Sequence, residues 1–301
     1  MDRTIGIGGS DAAAICGMDK YRTPLEVYLE KIGKPIEKIA TGATLIGKKF
    51  EHDVLQHFAE STGKRVRGEF SNRVVHPKIP FMNCQVDGII EGENAIVECK
   101  TTITIFSELN TQVPDNYQLQ CQHNMAVHGA EKCYLPFLVI DPHHEVRHGL
   151  HIIDRDDEVI DYLIDLEARF WNDHVIPKNP PSVDFNHALT SGLLSKLFPE
   201  SIEKQVVLDN SFSDLIERMQ ALSDSIKSLE AEKESIENML KNELGDAELG
   251  ICGDTFVSWK TQKNNRLDIE KLRIENPAIY EQYMKKTTIR RFRSEEHTSE
   301  L

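Results

Sequence analysis

The sequence predicts an α/β domain followed by a long amphipathic helix and a small α/β extension. Residues 1–178 alternate helix-period and strand-period patterns densely. Two short apolar runs flank the Gly-containing segment Glu91-Gly92-Glu93-Asn94 and read as a hairpin. Beyond Pro177-Lys178-Asn179-Pro180-Pro181, apolar residues recur at 4-3-4-3 spacing from Leu215 to Leu240.

The elements follow from local signals. Ser10 to Ala14 reads as a helix start. Thr23-Pro24 opens a second helix that runs through Ile32 and stops at Gly33. Ile46, Phe50, Val54 and Phe58, four apart, place a third helix over Thr44 to Thr62, ended by Gly63. A weak strand pattern spans Val66 to Val75, and Phe81 to Ile90 with Ala95 to Lys100 makes the hairpin. Another helix begins after Pro114 and ends at Gly129, with Tyr117, Cys121, Met125 and His128 on one face. Lys132 to Ile140 and Val146 to Ile153 read as strands, the first an edge or bulged strand because of Pro136. Asp156 to His174 reads as a helix. In the C-terminal part, Leu215, Met219, Leu222, Ile226, Leu229, Ile236 and Leu240, with Lys233 filling one step, form a helix of coiled-coil type. It is an oligomerisation element, a clamp over DNA, or an ordinary packed helix. Thr255 to Thr261 reads as a strand and Asp268 to Lys285 as a helix interrupted at Pro277. The expected organisation is a core over 1–178, a connecting segment over 179–209 and an accessory unit over 210–293. Residues 294–301 resemble translated adapter sequence and are expected to be a non-native tail.

With 40% apolar and 28% charged residues, the 301-residue chain reads as soluble and globular. No run of about 18 apolar residues exists, so no membrane association is expected, and the N-terminus lacks a signal-peptide pattern. Six scattered cysteines without a C-x-x-C pair read as buried free thiols of a reducing cytoplasm. His143-His144 reads as a pair of loop histidines. The net charge of −14 argues against a broadly basic nucleic-acid binder without excluding one, because affinity depends on local basic patches.

The hairpin carries the chemistry. Its loop length sets Ile90 against Ala95 and Asp87 directly against Glu98. Val86, Gly88, Ile90, Ala95, Val97 and Cys99 are then expected on a core-facing side, with Asp87, Glu98 and Lys100 on the other. Directly opposed side chains lie roughly 5 Å apart at Cβ, where like charges repel. A divalent cation held by hard carboxylate oxygens offsets that repulsion, and an adjacent lysine adds a fixed positive charge. This is a donor set for phosphodiester hydrolysis. The competing interpretation is a surface salt bridge on a solvated strand face.

Asp87 and Glu98-Cys99-Lys100 fit the D-(x)n-E-x-K form of the PD-(D/E)xK nucleases. Four further segments agree in chain order. Arg3 to Ala13 (R-T-I-G-I-G-G-S-D-A-A) resembles the N-terminal signature of YqaJ-like viral recombinases, relatives of phage lambda exonuclease. Gly47-Lys48-Lys49-Phe50-Glu51 is similar to the family's G-x-x-x-E, and Tyr117 to Gln122 to its Y-x-x-Q-x-Q helix. Thr287 to Arg293 resembles a basic C-terminal motif of its longer members.

The resemblance implies a restriction-endonuclease-like α/β core with a central mixed sheet flanked by helices. It implies Mg²⁺-dependent 5′→3′ digestion of double-stranded DNA ends, leaving 3′ overhangs, with Mn²⁺ able to substitute. Partners implied are a single-strand annealing protein and further copies of the chain in a trimeric ring, in the bacterial host cytoplasm. Carried over by residue, Asp87 and Glu98 bind metal with the Cys99 carbonyl, and Glu51 completes a second metal position. Lys100 orients or deprotonates the attacking water and stabilises charge, and Gln120 lies beside it. Arg3 and Ser10 hold a 5′-phosphate. Gln85 stands where the lambda enzyme has a serine, and can still donate a hydrogen bond. The chain begins at Met1-Asp2-Arg3, without the tryptophan-bearing segment that precedes this arginine in the family. Plainer roles stand beside these: a solvated helix charge for Glu51, an N-cap for Ser10, a surface amide for Gln120, a mobile terminus for Arg3. The rival activities are a structure-specific or restriction-like endonuclease and an inactive DNA-end-binding protein.

Overall fold

A computed structural model describes residues 4–36, 42–68, 73–103, 108–141, 146–285 and 290–293. Arg3, His143, His144 and the start of the Thr287–Arg293 motif lie outside the described residues. The chain divides into two compact units, Met1–Leu197 and Phe198–Leu301.

The first unit begins with α1 (Gly9–Ile15), α2 (Pro24–Lys31) and α3 (Gly42–Thr62). Thr23 caps α2 reciprocally: its Oγ1 accepts from Glu26 N at 3.2 Å while Glu26 Oε2 accepts from Thr23 N at 2.9 Å. Strands β1 (Val66–Gly68), β2 (Val74–Val75), β3 (Asn83–Cys84), β4 (Gly88–Ile90), β5 (Ala95–Val97) and β6 (Lys100–Ile103) follow. Then come α4 (Asp115–His128), β7 (Lys132–Ile140), β8 (Val146–Asp154), α5 (Asp157–Phe170) and α6 (Thr190–Leu197). Gly129 ends α4 in the left-handed conformation at φ 72°, which a residue with a Cβ resists.

The central sheet is mixed, with helices on both faces. β1, β4 and β5 are successive antiparallel neighbours, β5 and β6 run parallel to β7, and β8 pairs antiparallel with β7. β7 is apolar at nearly every position because both its faces are covered. Cys133, Leu135, Phe137 and Val139 pack with Cys121 and Met125 of α4; Tyr134 and Leu138 pack with Val54, Leu55 and Phe58 of α3. A third cluster joins Ile7 and Ala14 to Leu25, Val27, Phe170 and Leu193.

Two local expectations are corrected. β7 is a central strand despite Pro136. β5 and β6 meet β7 in one continuous register, Val97 against Tyr134 and Lys100 against Phe137, broken at residues 98–99. Pro136 falls opposite that break, where no ladder donor is required. Val86 packs with Ile96 in the α4-side core rather than with Ile90, Ala95 and Val97. The strand stops between Cys84 and Gly88, so strict alternation does not carry across it.

The second unit holds α7 (Ser211–Leu244), an antiparallel hairpin of β9 (Leu249–Cys252) and β10 (Thr255–Ser258), then α8 (Ile269–Glu275) and α9 (Pro277–Tyr283). Pro277 opens α9, which separates the last two helices at Asn276. Within this unit Arg290 Nη1 donates to Phe198 O at 3.1 Å. Among the described residues no helix is long and apolar enough to cross a membrane.

Candidate active site

The hairpin has the register that its apolar pattern requires: Gly88 pairs with Val97 and Ile89 with Ile96. One step further, Asp87 lies opposite Glu98, and Asp87 N donates to Val97 O at 3.1 Å. Both carboxylates sit where the ladder ends, so side-chain oxygens and freed backbone groups converge. Asp87 Oδ2 accepts from Cys99 N at 2.6 Å.

Glu98 is buried and meets three donors. Its Oε1 accepts from Lys100 Nζ at 2.8 Å and from Gln120 Nε2, and its Oε2 from Asn124 Nδ2 at 3.1 Å. Lys100 Nζ also donates to Gln120 Oε1 at 2.8 Å and lies 4.8 Å from the centre of the Tyr117 ring. Gln120 therefore bridges the Glu98 carboxylate and the Lys100 ammonium and is not a surface amide. Gln122 faces away from this cluster. It accepts from Asp156 N at 3.0 Å and donates to Asp154 O at 2.9 Å, tying α4 to the start of α5.

The electrostatics are uneven. Burial, then the negative charges of Glu98 and Glu51, push the Asp87 carboxyl up to about 9, despite the Cys99 amide and Lys100. Burial opposes the Lys100 ammonium, but Glu98 and Asp87 outweigh it and hold the group charged well above the ordinary lysine range. Burial and Glu98 push the Cys84 thiol up to about 12, and burial with Asp87 and Glu98 drives Cys99 higher still. Neither thiol supplies a nucleophile at neutral pH.

A cavity of about 610 Å³ opens beside this cluster, lined by its Asp87, Gln120 and Asn124, while Glu98 and Lys100 stand behind them. It brings together Ser10, Glu51, Gln85, Asp87 and Gln120, with Lys48 and Arg73 among the other lining residues. Glu51 reaches it from α3, and Ser10 from α1. Among the described residues no three His, Cys, Asp or Glu side chains already converge as a ligand cluster. The donor chemistry nevertheless fits a hard cation: Asp87 is raised by burial and then by the charges of Glu98 and Glu51, and a divalent ion among these oxygens would offset both.

The Gly-Gly-Ser-Asp segment is held by contacts not evident from the motif. A Cβ on Gly9 would stand 2.1 Å from Asn124 Oδ1, so only glycine lets α1 approach α4 this closely. Asp11 is buried between Lys31, at 2.6 Å, and Arg22, and also accepts from Gly8 N at 3.0 Å. Burial opposes its charge, but Lys31 and Arg22 prevail and lower the carboxyl to about 2. Asn83 N donates to Ile7 O at 2.9 Å, and Asn83 Nδ2 to Ile5 O at 3.0 Å, fixing the segment before α1 against β3.

The profile of the YqaJ-like viral recombinase domain matches residues 1–131. The uncharacterized protein YqaJ of Bacillus subtilis (strain 168) is 33% identical over 297 residues, covering 97% of this chain and 92% of that protein. The chain belongs to the YqaJ-like family. Solved structures similar to this YqaJ-like protein include the alkaline exonuclease LHK-Exo from Laribacter hongkongensis. That likeness has 18% identity and a TM-score of 0.46, covering 57% of this chain and 88% of that one. A phage-related exonuclease from Haemophilus somnus 129PT gives 15% identity and a TM-score of 0.47, over 58% and 96%.

Behind the YqaJ-like site lies a pair that no sequence motif signals. His123 and Glu167 are fully buried, with His123 Nδ1 2.8 Å from Glu167 Oε1 and His123 Nε2 2.9 Å from Asn83 O. Both partners offer acceptor oxygens, an arrangement that favours the imidazolium, which donates from both ring nitrogens. Burial opposes that charge, but Glu167 and the Asn83 carbonyl outweigh it and raise the pKa above 6.5. The folded value exceeds the unfolded one, so this stabilisation is complete below pH about 6.5 and fades as pH climbs through the raised value. His123→Ala strands a buried carboxylate and is expected to cost about 3–5 kcal/mol, read by urea denaturation at pH 6. A loss within about 1 kcal/mol would show that the pair contributes little.

Proposed function

We propose that this YqaJ-like protein is a metal-dependent deoxyribonuclease that degrades double-stranded DNA from its ends, 5′→3′, leaving 3′ single-stranded overhangs. The observation that carries this reading is the hydrogen-bonded Glu98–Lys100–Gln120 cluster beside Asp87, with Asp87 and Gln120 opening onto a cavity that Glu51 also lines. Membership of a viral recombinase family agrees with DNA-end processing.

Asp87, Glu98 and Glu51, with the backbone carbonyl of Cys99, would hold Mg²⁺, for which Mn²⁺ would substitute. When bound, the ion supplies positive charge against the phosphodiester oxygens where negative charge accumulates. The protein's own groups do the rest. Lys100, paired with Glu98 at 2.8 Å and raised above the ordinary lysine range by it, is suited to serve as a fixed cation for the charge that develops on the phosphoryl oxygens. Gln120 holds Lys100 and Glu98 in one geometry. Lys48 and Arg73, on the cavity wall, suit the flanking phosphates. Arg3 and Ser10 would read the 5′-phosphate, with Gln85 nearby as a further donor. A single-strand annealing protein would take the product strand, and the core would assemble as a ring.

Linear duplex, covalently closed plasmid and Mg²⁺ test the reading together. Loss of linear duplex with intact closed plasmid, only when Mg²⁺ is present, is expected. Cutting of closed plasmid would assign an endonuclease, and no hydrolysis of either would leave a DNA-end-binding protein.

The end pocket has its own consequence. Wild-type protein should digest 5′-phosphorylated duplex faster than 5′-hydroxyl duplex, and Arg3→Ala or Ser10→Ala should remove most of that preference while sparing Mg²⁺ binding. Equal initial rates on the two ends with the wild-type protein would refute this role.

A further inference from the structure

We propose that α7 pairs with the α7 of a second copy of this chain as an antiparallel coiled coil. The helix has 34 residues and extends about 51 Å, yet none of its side chains is buried. Its apolar stripe keeps strict heptad spacing, and Leu215, Leu222, Ile226, Leu229 and Ile236 are each 50–65% exposed. A helix of this length draws its stability chiefly from packing an apolar face. DNA is a poor occupant, because residues 211–244 carry eight acidic and four basic side chains. A second α7 supplies a stripe of matching length and spacing.

Charge complementarity sets the direction. The stripe places Met219, Ile226, Lys233 and Leu240 at one core position and Leu215, Leu222, Leu229 and Ile236 at the other. Arg218 and Glu232 flank the first, while Glu230 and Glu237 flank the second. A parallel pair would stack Lys233 on Lys233 and set Glu232 against the second copy's Glu237, twice over. With the two-fold axis between Leu222 and Ile226, the antiparallel pair instead layers Leu222 on Ile226, Met219 on Leu229 and Phe212 on Ile236. Lys233 then lies on Leu215, where its aliphatic stem packs and its ammonium reaches water. Arg218 of each copy faces Glu232 of the other, so like-charge contacts are replaced by two opposite-charge ones.

Sedimentation equilibrium of the full chain, under reducing conditions, tests this. Whatever assembly the rest of the chain forms, Leu222→Asp should halve the mass. Glu232→Arg and Arg218→Glu should each weaken self-association roughly tenfold or more, and the double exchange should restore it. A parallel pair gives the opposite sign for Glu232→Arg, since arginine would then meet Glu237. An unchanged mass for Leu222→Asp, tighter association of Glu232→Arg, or a wild-type monomer up to about 100 μM, where pairs of only moderate affinity would already be populated, would each overturn the proposal.

Discussion

Asp87→Asn is expected to reduce hydrolysis of linear duplex roughly 10³-fold or more, while making the metal-free protein more stable at alkaline pH. The first effect follows from losing an anionic donor where several kcal/mol of charge stabilisation is at stake, each 1.36 kcal/mol being tenfold. The second follows from linkage. The folded carboxyl ionises at about 9 against 3.8 unperturbed. Between those values the native state keeps a proton that the unfolded chain has released, so stability falls as pH rises through this window. An amide at 87 removes both the titration and the repulsion from Glu98. In EDTA, wild-type thermal midpoints should therefore decline from pH 5 to 9, with a shallower decline in Asp87→Asn. His123 contributes in the same direction above pH about 6.5, so its share of the slope remains in the variant. Mg²⁺ competes with the proton, and its stabilising effect on the wild type should grow with pH. Parallel pH slopes for the two proteins, or near-normal turnover of the variant, would refute the assignment of Asp87 as a strained metal ligand.

Lys100→Ala is expected to lower turnover roughly 10²-fold or more with Mg²⁺ affinity retained or improved. Removing the ammonium takes positive charge away from Glu98 and Asp87, which favours a bound cation electrostatically. Glu98 still keeps Gln120 and Asn124 as donors, so the carboxylate is not left bare. Calorimetric Mg²⁺ titration beside single-turnover rates separates the two quantities. Lys100→Arg, which preserves the charge but not the compact ammonium, should recover part of the rate. Recovery by arginine supports a fixed cation; a loss explained wholly by weaker Mg²⁺ binding would remove Lys100 from the chemistry.

The local signals legible in the sequence are those in which neighbouring residues constrain one another. Thr23-Pro24 with Glu26 closes its own capping box, Gly129 ends α4, and the four-residue turn sets Asp87 against Glu98 whatever the rest of the chain does. The 4-3-4-3 stripe of α7 is equally self-contained. Polar groups whose partners lie far along the chain are settled by tertiary packing alone. Asn124, Gln122, Asp11, His123 and Glu167 are buried, yet in a linear reading their polarity resembles a solvated face. Each draws on a partner distant in the chain: Glu98 accepts from the Asn124 amide nitrogen, Lys31 and Arg22 pair with Asp11, and Glu167 and the Asn83 carbonyl flank His123. Pro136 escapes a linear reading for the same reason, since the ladder break that accommodates it belongs to residues 98–99, between two other strands. Periodicity states which face is apolar; which groups meet beneath it depends on packing between segments whose separation leaves no local trace.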